Sequence, residues 1–142
     1  MDFTLDTYKK LLKALKERDY CFKTFLEYLE EDKSSSDTMN DLFVILRNDV
    51  DLLPENSLQF SKIQTDMGIK GSYYFRAVKE SWNEKIIKEI DSMGHEVGYH
   101  YENMDTCNGN LDKAWDDFRY NLDKLRKLAE VKTICMHGSP RS

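Results

Sequence analysis

Four short apolar runs, each ending in polar or ionisable residues and separated by stretches of helical periodicity, constrain this chain more than any other feature. Leu42-Phe43-Val44-Ile45-Leu46 leads into Arg47-Asn48-Asp49-Val50-Asp51, and Tyr73-Tyr74-Phe75 leads into Arg76. Val97-Gly98-Tyr99 leads into His100 and Glu102, and Thr133-Ile134-Cys135-Met136 into His137-Gly138-Ser139-Pro140. Open α/β sheets and α/β barrels carry their chemistry at the carboxyl ends of such strands.

The pattern predicts strands over 42–47, 70–76, 95–100 and 132–136, with helices over 55–67, 82–93 and 110–129 between them. Alternation of this kind gives a parallel sheet, because each strand reaches the next through a crossover. Local signals agree. Pro54 suits a helix start, Ser81 with Glu84 forms a capping box, and Asn110 can cap the third helix. Gly68 and Gly94 follow methionines where a left-handed residue ends a helix. Leu111, Trp115, Phe118, Leu122 and Leu125 make one apolar stripe that should face the sheet.

Before the first strand, Leu5, Tyr8, Leu12 and Leu15 recur at helical spacing behind Thr4, giving a helix to about Glu17. Thr24 and Glu27 form a capping box for a second helix. The run Glu30 to Asp37 is polar and Ser-rich and reads as a linker. The expected organisation is therefore a helical preface over 1–33, a polar linker over 34–41 and an α/β domain over 42–142.

At 142 residues with 40% apolar content the chain can bury a core. A net charge of −5, with acids and bases interspersed, argues against nucleic acid as a partner. Cys21, Cys107 and Cys135 show no disulfide or zinc-finger spacing, which fits a reducing cytosol. No apolar stretch reaches the length of a membrane span and no export signal opens the chain, so a soluble cytoplasmic protein is expected.

Asp49 and Asp51 lie two apart, so in an extended segment both side chains point the same way and can share a cation or divide base and ligand roles. They can equally cap the helix entered at Pro54. His95 begins its strand and reads as a packing or capping residue. His100 and His137 end theirs, on the rim that holds the two aspartates, and together these residues offer the donors that zinc or a similar ion takes. Glu102 and Asp105 are further ligand candidates, or solvated loop acids. Arg47 and Arg76 can bind a substrate anion or pair with the aspartates. Tyr99, Tyr101 and Trp82 near the rim are compatible with stacking on a sugar.

In order, Arg47 to Asp51, Gly71 to Arg76, Met93 to Glu102 and Met136 to Pro140 resemble the polysaccharide deacetylase family over residues 40 to 142. The Gly-His-Glu-Val-Gly-Tyr-His segment ending at His100 is the most specific part. The resemblance implies a distorted (β/α) barrel, a divalent metal, zinc by its donors, held by one Asp and two His, and an Asp acting as base. It also implies removal of an N- or O-acetyl group from a carbohydrate. Carried onto this chain, it makes Asp49 the catalytic base and Asp51 and His100 metal ligands, with the remaining ligand to come from His137, Asp105 or Glu102; His137 is the expected one, and Arg47, Arg76 and Glu102 are expected to bind substrate.

The chain departs from the family pattern in three ways. Val50 separates two aspartates that are commonly adjacent, and Asn48 stands where a related subgroup has histidine. Met104 occupies the position of the usual second metal histidine. The sequence stops at Ser142, before the strands that close the family's barrel, so it resembles the front part of the domain. An incomplete barrel should self-associate through an open sheet edge. The rival expectation is a non-catalytic or truncated domain with a binding or interaction role.

Overall fold

The computed structural model describes residues 4–31 and 42–138. The expected linker over 34–41 lies outside the described residues, as does the Ser139-Pro140 end of the last motif. Twelve elements are seen among the described residues, in this order: α1 (Leu5–Lys16), β1 (Cys21–Lys23), α2 (Phe25–Glu30), β2 (Phe43–Ile45), β3 (Arg47–Val50), α3 (Pro54–Asp66), β4 (Ser72–Phe75), α4 (Glu84–Ser92), β5 (Glu96–Tyr101), α5 (Asn103–Thr106), α6 (Leu111–Arg126) and β6 (Ile134–Met136). The fold is mixed α/β with parallel sheets, as the alternation implied.

β3, β4, β5 and β6 form one four-stranded sheet in sequence order, and every pairing is parallel. β1 pairs in parallel with β2, and only Leu46 separates β2 from β3. The preface therefore contributes a strand as well as helices. Among the described residues no helix is long and apolar enough to cross a membrane.

The register separates the two faces of the sheet. Val50, Phe75, Tyr99 and Ile134 share one row, with Tyr73 and Val97 two residues earlier and Tyr101 and Met136 two residues later on the same side. Val50, Tyr73, Phe75, Val97 and Tyr99 are buried against Ile86, Ile87 and Ile90 of α4 and Leu125 of α6. The opposite side carries Arg47, Ser72 and Glu96, then Asp49, Tyr74 and Gly98, then His100 and Cys135. One face is thus core and the other carries the polar chemistry. Gly98 is required there, since a Cβ would run into the Tyr74 ring that lies across it.

Three local expectations change. The first strand does not end at residue 47, because β3 continues in register with β4 to Val50, whose side chain fills the core, and Asp49 is a strand residue. Ser81 does not cap α4. Asn83 does, accepting from the Ile86 N–H at 3.2 Å, while the buried Ser81 hydroxyl accepts from the Arg76 N–H and donates to the Val50 carbonyl. The apolar stripe of α6 faces the sheet only in part, since Leu111 and Trp115 are exposed. The caps at Thr4, Thr24 with Glu27, and Asn110 form as expected, and Gly68 and Gly94 have φ of +69° and +84°.

α1 packs through buried Leu12 against Ile63 of α3 and Ile69 of the connection that follows it. α2 closes over the polar face at its amino end, where the Phe25 N–H donates to Ser72 Oγ at 3.2 Å and the Leu26 N–H to Glu96 Oε2 at 3.3 Å.

Candidate metal centre

Asp51, His100 and His137 converge at the carboxyl ends of β3, β5 and β6. Parallel strands in consecutive order bring their ends to one rim, so three residues far apart in sequence meet without any loop reaching across. His100 Nε2 lies 3.7 Å from Asp51 Oδ1, His137 Nδ1 lies 3.3 Å from the same oxygen, and the two imidazole nitrogens are 3.2 Å apart. A tetrahedral zinc ion with ligand bonds of about 2.0–2.1 Å has neighbouring donors about 3.3 Å apart. The triangle has the size that such an ion needs.

Two further observations bear on the fit. Asp51 Oδ1 is buried and has no hydrogen-bond partner among the described residues, although the side chain as a whole is 46% exposed. An unpartnered buried carboxylate oxygen costs free energy unless a cation or proton meets it. His100 is 2% exposed and its Nδ1 lies 3.1 Å from the Cys135 carbonyl oxygen. A carbonyl only accepts, so Nδ1 carries the proton and Nε2 presents its lone pair to the cluster. A carboxylate oxygen and an imidazole lone pair then face each other, with His137 Nδ1 within 3.3 Å of both. The donor set fits a divalent cation.

The other expected site residues fall into place around this triangle. Asp49 Oδ2 lies 3.8 Å from His100 Nε2, but both Asp49 oxygens are held by Arg47, with Nε donating at 2.8 Å and Nη2 at 2.7 Å. That hydrogen-bonded pairing raises the pKa of Arg47. Arg76 and Glu102 form a second bidentate pair at 2.9 and 2.8 Å, and Arg76 Nη1 also donates to the Asp51 carbonyl at 3.2 Å. Glu102 Oε2 is 4.0 Å from His137 Nε2. Asp105 lines a cleft of about 130 Å³ with Glu102, Met104, Met136 and His137, yet it is not among the converging donors.

His95 lies at the opposite end of the sheet. Its Nδ1 accepts from the Gly71 N–H at 3.0 Å, and Nε2 donates to the Ser61 carbonyl at 3.0 Å. Burial pushes its pKa down, so the ring is a neutral structural bracket. Tyr99 is not available to stack on a sugar, because it is 1% exposed and its hydroxyl donates to Asn103 Oδ1 at 3.2 Å.

One contributor escapes sequence reasoning altogether. The Cys135 carbonyl fixes the tautomer of His100, and no side-chain pattern signals a backbone acceptor. The Cys135 thiol itself is pushed up by burial, which keeps it protonated and disfavours it as a ligand. Comparison of the chain with protein-family models, with curated proteins and with solved structures finds no match.

Proposed function

We propose that this chain is a metal-dependent hydrolase of the deacetylase type, with a barrel-like (β/α) architecture, removing N- or O-acetyl groups from carbohydrate in a reducing cytosol. The observation that carries the reading is the buried Asp51 Oδ1, without a hydrogen-bond partner among the described residues, converging with His100 Nε2 at 3.7 Å and His137 Nδ1 at 3.3 Å. Three protein donors, rather than four, are the complement of catalytic zinc sites. When bound, a divalent ion would supply Lewis-acid polarisation of the scissile carbonyl. Asp49, beside the cluster, would accept the proton of the attacking water. Arg47 would orient Asp49 through its paired hydrogen bonds. The three cysteines are free thiols, which suits the reducing compartment.

A second reading has its own observation. Arg47 occupies both Asp49 oxygens, and a carboxylate so engaged is a weaker base. On this reading the domain binds metal or ligand without turnover. Ile134, Met136, Leu111 and Trp115 expose apolar surface on β6 and α6, which supports self-association in either case.

Zinc titration by calorimetry, followed by assay of acetate release from an acetylated chitooligosaccharide, separates the two. Stoichiometric zinc binding with zinc-dependent acetate release supports the hydrolase. Binding without release supports the second reading, and no binding by the wild-type chain overturns the hydrolase and the metal-binding form of the second reading.

A further inference from the structure

His137 is the one ligand whose tautomer must change when a cation enters, and the pair Glu102–Arg76 stands where the moved proton would face. In the cluster as it stands, His100 Nε2 is an acceptor, because its Nδ1 proton is directed at the Cys135 carbonyl. His137 Nδ1 lies 3.2 Å from that acceptor, so the favourable arrangement puts the His137 proton on Nδ1, donating to His100. A cation bound by Asp51, His100 and His137 needs both facing nitrogens as lone pairs. The neutral His137 ring must then carry its proton on Nε2. No proton is gained or lost overall: Nδ1 gives one to solvent and Nε2 takes one up.

On the Nε2 side stands Glu102, with Oε2 at 4.0 Å. Its carboxylate is only 12% exposed and is fixed by two hydrogen bonds from Arg76. Arg76 reaches in the other direction to the Asp51 carbonyl at 3.2 Å, so one guanidinium ties together the backbone carrying one ligand and the carboxylate facing another. The N–H of a metal-ligating histidine is normally met by a carboxylate, carbonyl or water, and such partners fix ring orientation and raise basicity.

We infer that Glu102, held by Arg76, is a positioning residue that selects the Nε2–H form of His137 and so makes its Nδ1 a metal ligand, rather than a substrate-binding or metal-ligating group. The inference rests on the metal reading above. It predicts an unsymmetrical site, with His100 bound through Nε2 and His137 through Nδ1.

The test uses the full 142-residue chain with zinc alone as probe. Long-range ¹H–¹⁵N correlation spectra of the imidazoles should show His100 as Nδ1–H with and without zinc, and His137 changing from Nδ1–H to Nε2–H on loading. Zinc affinity, read by competition with a chromophoric chelator, should fall about 10- to 100-fold in Glu102→Gln and in Arg76→Lys. Near-ultraviolet circular dichroism selects variants that remain folded, and the wild-type tautomers decide the matter if neither does. Zinc-loaded His137 with its proton on Nδ1, or affinity within twofold of wild type in both folded variants, overturns this inference and leaves the metal site standing. Failure of the wild-type chain to bind zinc overturns the metal reading and this inference together.

Discussion

The two ends of the sheet hold similar side chains in opposite states. At the amino end, His95 and Glu96 are buried, and every polar atom they present is met from within the protein: His95 by Gly71 and Ser61, Glu96 by Ser72, Thr133 and the Leu26 N–H. At the carboxyl end, His100 is equally buried, but Asp51 Oδ1 has no hydrogen-bond partner among the described residues and two imidazole nitrogens face it. The chemical groups are alike, and the difference is whether the chain itself completes their hydrogen bonding. A satisfied cluster strengthens the fold, whereas an unsatisfied one marks a place where something else completes the set. The ends should therefore separate cleanly under mutation, one reporting on stability and the other on ligand affinity.

The largest effect is expected at Asp51. Asp51→Asn keeps the size of the side chain and removes the anionic donor, so zinc affinity should fall by about a thousandfold, or about 4 kcal/mol. The metal-free protein should melt no earlier than wild type, since the unpartnered oxygen contributes nothing to the fold. Chelator competition and thermal melting check both halves. A melting temperature that drops while affinity holds would erase the contrast between the ends.

Glu96→Ala is the mirror experiment. It strips the acceptor from Ser72, Thr133 and the Leu26 N–H and unfastens α2 from the sheet, for an expected loss of about 3 kcal/mol in urea unfolding. The folded fraction should bind zinc within about threefold of wild type, because sites this far apart are normally additive.

Acid should find the same end. Burial holds the folded pKa of His95 below its ordinary value of 6.5. As pH falls below 6.5 the unfolded chain takes up a proton that the folded chain refuses, so the stabilisation held at neutral pH is lost progressively until the folded pKa is passed. For one proton the slope is at most about 1.4 kcal/mol per pH unit. Urea midpoints at pH 7.5, 6 and 5 should fall in wild type and fall less in His95→Gln.

The contrast was partly legible in the sequence. Strands that begin or end with histidine placed His95 at one end and His100 and His137 at the other, because parallel strands in consecutive order align their ends. The strand boundary at Asp49 was not legible, since a carboxylate within a strand looks like a loop residue unless the face it occupies is known to be polar. β1 was hidden for a different reason: Cys21-Phe22-Lys23 is too short to show periodicity and is a strand only because β2 pairs with it. The Cys135 carbonyl and the pairing of Arg47 with Asp49 depend on side-chain geometry that spacing does not encode.

The smallest effect on affinity, and the one that sharpens the carboxyl end most, is expected from Arg47→Gln. Arg47 bonds Asp49, not the three converging donors, and its side chain is 40% exposed. Zinc affinity should therefore change by no more than about threefold, within what a half-exposed ion pair contributes. Turnover should respond differently. If Arg47 orients the base, its loss lets Asp49 rotate away from the cluster, and acetate release should fall by about tenfold, as positioning losses do. Unchanged affinity with reduced release would show that the two aspartates, two residues apart on one side of the chain, have separate tasks. A fall in affinity as large as that of Asp51→Asn would instead make Asp49 part of the ligand set and redraw the site around both carboxylates.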